Sequence, residues 1–178
     1  MQSKQQTIEA AVHEIADWIN GTPAVMLTTR NAEGRLVSRP LAVRSVPFDG
    51  SAWFLTALGS TKLREIEADP RVNLAFVNTG NGAYVSMEGR ARVTTDRSRI
   101  AMLWSDSIDA MFFPAGRDDP HLAALCVEAD TVEVWTSAST AIGRMIDTAM
   151  ASLTGDSGQL GVQIHYDLRH GLRTEKSR

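Results

Sequence analysis

Residues Gly59–Pro70 read GSTKLREIEADP, a glycine, two hydroxyls and a lysine ahead of a short helix-like stretch. A P-loop needs two glycines and then Gly-Lys-Ser/Thr, and this order does not supply it. The physics of a helix entry remains. Its first N–H groups and positive dipole end attract an anion, and Ser60, Thr61 and Lys62 add hydroxyls and a cation. Taken alone, the segment is better read as an N-cap serine beside a solvated lysine.

A second candidate lies upstream. In RLVSRPLAVRSV (35–46), alternation places Val37, Arg39, Leu41 and Val43 on one face. Arg39 is a charge on an otherwise apolar side, and burying it unpaired is costly. It must meet an acid, a polar ligand or an interface. Pro40 removes a ladder donor, which places the strand at an edge or a bulge.

Other motifs carry less. GDSG (155–158) matches the nucleophile segment of chymotrypsin-like proteases, but no histidine stands in the companion context; a glycine-rich turn explains it. His13, His121, His165 and His170 show no zinc-like grouping. Cys126, in an apolar stretch, reads as a core residue, and the chain's single cysteine permits no internal disulfide. Trp104 and Trp135 suit stacking or packing.

The elements that must position these residues follow from periodicity. Ile8, Val12, Ile15 and Ile19 make 7–20 an amphipathic helix, stopped by Asn20-Gly21 and Pro23. Strand signals follow at 24–30, 35–46, 51–56, 71–78 and 83–94, joined by short turns. In the last, Val85, Met87, Gly89, Ala91 and Val93 share one face, and Tyr84, Ser86, Glu88, Arg90 and Arg92 the other. Gly89 marks a bend. Asp96 suits the N-cap of a helix holding Ile100, Leu103 and Trp104. An irregular connector (111–121), one or two strands (122–137), a helix (141–153) and an alternating strand (159–168) complete the chain.

This order predicts a β-rich fold, a β-barrel with peripheral helices. At 178 residues, with no linker rich in Gly, Pro or Ser, the expectation is one domain over 1–178, with 1–6 and 170–178 as frayed tails. Net charge is -3 and the only broadly basic stretch is the last ten residues, which argues against non-specific nucleic-acid binding. No apolar run approaches a membrane span, and MQSKQQTIEA has no signal core. The expected setting is the cytoplasm.

Taken together, MLTTRNAEGRLVSRPL, WFLTALGSTKLREIEADPRVNLAFV, and YVSMEGRARVTTDR followed by Trp104 and FFPAGRDDP resemble the general stress protein branch of the pyridoxamine 5'-phosphate oxidase-like family. The resemblance spans roughly residues 8–168, and the order and spacing of the pieces make it specific. It implies an FMN-binding split β-barrel working as a homodimer, with the flavin at the subunit interface.

Carried over by position, Ser60, Thr61 and Lys62 match the phosphate-binding segment. Arg39, Pro40 and Leu41 match the strand along the isoalloxazine ring, and Phe54, Leu55 and Thr56 the neighbouring strand beside the ribityl chain. Tyr84 falls where the oxidases place a flavin-contacting glutamine, with Ser86 on the same face. Trp104 is the contribution implied from the other subunit. Arg39 near the pyrimidine edge would stabilise reduced, anionic flavin.

The ending GVQIHYDLRHGLRTEKSR does not reproduce the oxidases' segment for pyridoxal phosphate, so that activity is not expected. Phe112 stands where relatives often carry Trp. The function implied is a flavin-dependent oxidoreductase on a small molecule, with a nicotinamide donor as one option. The alternatives are a non-catalytic FMN-binding stress protein and a split barrel using a deazaflavin or haem; the anion-binding segment favours FMN over haem.

Overall fold

The computed structural model describes residues 2–44, 47–80, 82–136 and 162–177. Among these, the elements are α1 (Gln2–Ile19), β1 (Ala24–Arg30), β2 (Leu36–Ala42), β3 (Ser51–Ala57), α2 (Thr61–Ala68), β4 (Arg71–Asn78), β5 (Ala83–Thr94), α3 (Arg97–Leu103), α4 (Asp106–Asp109), β6 (Leu122–Thr136), β7 (Val162–Asp167) and β8 (Leu172–Ser177). The molecule is β-rich, as the strand signals imply. Hydrogen bonding runs β2-β1-β4-β5-β6-β7-β8, with β3 pairing β6 off this path. The helix expected at 141–153 lies outside the described residues.

The chain, expected as one domain, groups into two compact units, with β4, β5 and β6 divided between them. The first comprises residues 1–22, 75–87 and 130–178, and the second 23–74 and 88–129.

In the first unit, α1 turns Ala11, Ile15 and Ile19 inward, and Phe76, Val85, Met87, Val132, Val134, Ile164 and Tyr166 are buried. Its helix end illustrates the local logic. Gly21 takes φ +79°, a left-handed conformation that glycine adopts without steric cost. The Asn78 amide then donates to the carbonyls of Trp18 (3.0 Å) and Asn20 (2.7 Å), which the helix leaves without partners.

The end of the chain corrects an expectation. The segment 170–178, expected to fray, contains β8, which pairs antiparallel with β7 from Leu172↔Asp167 to Ser177↔Val162. Arg173 also reaches Glu14 of α1, Nη2 to Oε1 at 3.1 Å and Nε to Oε2 at 3.2 Å. Likewise α1 starts at Gln2, within the stretch 1–6 expected to fray.

The second unit holds β1 and β2 in antiparallel register, Leu27 opposite Arg39 and Met26 opposite Pro40. β3 is buried on both faces. Trp53 and Leu55 pack with Ile100, Leu103, Leu122, Ala124 and Cys126, and Trp104 and Phe113 close that cluster. Phe54 and Thr56 occupy the opposite face by alternation and are also buried. Segment 122–137, left open as one or two strands, is a single 15-residue strand here. Asp96 caps α3 as expected: its side chain accepts from Ser98 Oγ at 2.7 Å and from Ser98 N at 2.9 Å, which hold its carboxyl below the usual range.

Candidate functional site

The turn from β3 into α2 positions the first candidate group. Gly59 takes φ +73°, and Ser60 N donates to the Ala57 carbonyl at 3.4 Å, reversing the chain into the helix. Ser60 stands at the N-cap of α2, yet its hydroxyl makes no capping bond. That hydroxyl is buried without a hydrogen-bond partner, and so is the Thr56 hydroxyl on β3. A simple capping role for Ser60 is thereby set aside. Two buried, unpaired hydroxyls are costly unless something accepts from them.

Lys62 follows in the first turn, whose leading N–H groups have no helical carbonyl ahead of them, while Leu63 N donates to the Ser60 carbonyl at 3.0 Å. Burial, then the charge of Arg39, lowers the Lys62 ammonium from its ordinary pKa. Two cations therefore converge beside the helix entry, a disposition suited to an anion. Thr61 is more exposed and accepts from Arg64 Nη2 at 3.2 Å.

Arg39 answers the question its sequence position poses. It meets an acid: its Nη2 donates to Glu65 Oε2 at 2.6 Å. Its Nη1 donates to Thr29 Oγ1, and Thr29 in turn donates to Glu65 Oε2 at 2.6 Å. Glu65 is 8% exposed. Leu63 and Ile66 form the inner face of α2 and are buried together with Glu65; neither Glu65 nor Thr29 stood out in the sequence. The available signal was the position of Glu65 between its helix neighbours on that same face.

The remaining assigned residues divide by exposure. Leu41, Phe54 and Leu55 have buried side chains, while Pro40 is exposed. Tyr84 and Ser86 belong to β5 in the first unit, and Tyr84 is 58% exposed. Trp104 ends α3. Its Nε1 donates to Asp106 Oδ1 at 2.6 Å and its ring lies 6.5 Å from that of Phe113.

A further feature was not foreseen. Arg44, just past β2, reaches Asp109 of α4, Nη2 to Oδ1 at 2.7 Å and Nη1 to Oδ2 at 2.9 Å, with both side chains buried. Asp109 Oδ2 also accepts from Ser105 N at 2.8 Å. The residues are 65 apart in sequence, so neither announces the other. Among the described residues, no helix is long and apolar enough to cross a membrane.

The geometry can be set beside known proteins. The chain is 24% identical over 157 residues to protein bli-3 of Neurospora crassa, covering 83% of this chain and 75% of that protein. A structure from Jannaschia sp. CCS1, bearing the name general stress protein 26, matches at TM-score 0.67 and 23% identity, covering 95% of this chain and 99% of the other. The general stress FMN/FAD binding protein of Xanthomonas citri matches at TM-score 0.62 and 25% identity, covering 72% of this chain and 90% of the other. The fold is the split β-barrel of these neighbours. The model of the family described as "Pyridoxamine 5'-phosphate oxidase like" matches residues 10–159, a span that includes every site residue named above. The chain belongs to the pyridoxamine 5'-phosphate oxidase-like family.

Proposed function

We propose that this protein binds FMN, with the phosphate at the entry to α2, and acts as a flavin-dependent oxidoreductase on a small molecule. One observation carries the reading: Ser60 sits at an N-cap position with a buried hydroxyl that caps nothing. A phosphate dianion there would accept from Ser60, from Thr56 and from the first-turn N–H groups, and would face Lys62. Hydrogen bonds of this charge-assisted kind are shorter and roughly twice as strong as neutral ones. Arg39 adds a second positive charge close enough to act on Lys62. The name of the Xanthomonas citri protein, FMN/FAD binding, supports a flavin as the bearer of that phosphate.

The other roles follow from exposure. Phe54 is 1% exposed, so it would serve the flavin through backbone groups rather than its ring. Pro40 offers an apolar exposed surface on β2 to a flat ring system. Tyr84 and Ser86 are assigned to the flavin by the family resemblance. Trp104 is assigned as a contribution from the second copy of a homodimer; with its N–H engaged by Asp106, it has only its ring to offer. Bound flavin supplies two-electron chemistry; the chain's part is to bind it, orient it and exclude water. The expected setting is the cytoplasm, where a nicotinamide is one available donor.

The visible spectrum of freshly purified protein tests the reading, followed by anaerobic mixing with NADH or NADPH. A yellow protein that bleaches at a catalytically useful rate supports the oxidoreductase. A yellow protein that never bleaches with these or other small reductants supports a flavin carrier instead. A colourless protein that takes up no added FMN overturns both.

A further inference from the structure

We propose that Glu65, acting together with Thr29, is a positioning residue that anchors Arg39 to α2, the helix whose entry forms the anion site. The inference rests on the phosphate reading above and adds to it residues that touch neither phosphate nor ring.

The three side chains close a ring of hydrogen bonds. Arg39 donates to Glu65 through Nη2 and to Thr29 through Nη1, while Thr29 donates to the same carboxylate oxygen, Glu65 Oε2. A guanidinium presents five donors in a fixed fork, so engaging two of its arms fixes the plane and leaves other N–H groups for a ligand. Strand register makes this possible. Arg39 stands opposite Leu27, and Thr29 lies two residues along β1 on the same face. Glu65 comes down on that face from α2, one helical turn beyond Lys62. The carboxylate thus ties the strand carrying Arg39 to the helix whose entry carries Ser60 and Lys62.

The charges matter as much as the anchoring. After burial, the charge of Arg39 is what lowers the Lys62 pKa, so the two groups are near enough to interact. The buried Glu65 carboxylate lies directly against that guanidinium, Nη2 to Oε2 at 2.6 Å. The same acid offsets the repulsion that two converging cations would otherwise impose on the free protein.

Binding of FMN and of riboflavin, which lacks the phosphate, to the full chain tests the inference by flavin-fluorescence titration. Glu65→Ala is expected to cut the preference for FMN over riboflavin by about tenfold, the scale of one charged hydrogen bond. Glu65→Gln keeps an acceptor for Arg39 and Thr29 and should restore most of that preference. In an Arg39→Ala background, removing Glu65 should change the preference no further, as required of a residue acting through Arg39. If Glu65→Ala fails to fold, the nearly isosteric Thr29→Val takes its place, with a fall of about two- to fivefold expected.

An unchanged preference in Glu65→Ala, alongside a lowered one in Arg39→Ala, would overturn the positioning role alone. So would equal weakening of FMN and riboflavin, which marks a scaffold effect, or full additivity with Arg39→Ala. A wild-type protein that binds both flavins equally would instead overturn the phosphate reading, and this inference with it.

Discussion

Gly89 of β5 lies against the backbone of Glu128 in β6, so closely that a Cβ on Gly89 would stand 2.1 Å from the Glu128 carbonyl oxygen and 3.2 Å from the Ala129 Cα. The obstacle is main chain, which cannot swing aside as a long side chain would. The glycine expected to mark a bend is thus explained by strand approach. The neighbouring Arg92 Nε, at 2.8 Å from Glu128 Oε1, ties the same two strands together.

Gly89→Ala is therefore expected to destabilise the protein by about 1–3 kcal/mol, the usual cost of overpacking. Urea unfolding checks this: the midpoint should fall while the slope is kept, because the denatured chain is barely altered. A midpoint equal to wild type would show that the strands part freely at this point.

Lys62→Ala is expected to weaken FMN binding by about 1–3 kcal/mol, as for a lost charged hydrogen bond. Fluorescence titration measures it directly. Unchanged affinity would remove Lys62 from the phosphate site.

The depressed pKa of Lys62 sets two opposite trends at alkaline pH. In the folded protein this lysine releases its proton below its ordinary value of 10.5. Between the two values the unfolded chain binds more protons, so the lysine's contribution to folding stability rises with pH. Affinity for FMN is expected to fall over the same window, as the cation proposed to meet the phosphate is lost. Lys62→Met should flatten both trends; an alkaline loss of FMN affinity that persists in the variant would assign it to another group.

The Arg44–Asp109 pair gives a prediction about α4. Removing one partner of a buried ion pair leaves the other uncompensated, at a cost of about 3–5 kcal/mol. Arg44→Ala should lower thermal stability accordingly. Arg44→Met with Asp109→Leu should recover much of the loss, because replacing both charges with apolar groups of similar size is often near neutral.

A homodimer is the expected assembly. Light scattering on the FMN-bound protein checks it, and a monomer that still holds FMN would contradict a shared site.

Much of this architecture was legible in the residues. Period-two alternation and turn residues located β1, β4 and β5 at their observed bounds, since each has one buried face and short connections. The entry to α2 was legible because glycine, hydroxyls and lysine sit together in sequence. Its buried counter-charge was not. Glu65 and Glu67 look alike on paper, and only the packing of α2 onto β1 and β2 buries one of them. β8 was missed for a related reason: LRTEKS carries no apolar alternation, and its strand exists through pairing with β7 and the grip of Arg173 on Glu14. Arg44 and Asp109 show the limit of local reading, since a buried pair made across so many residues leaves no local signature.

Ser60 begins a helix and then withholds the bond that would secure it. The backbone holds this first turn, Leu63 N to the Ser60 carbonyl at 3.0 Å, and an anion accepting from the Ser60 hydroxyl would add to it. On the proposed reading, resistance to proteases near residue 60 should rise with the FMN supplied, so that ligand abundance would bear on the survival of the protein itself.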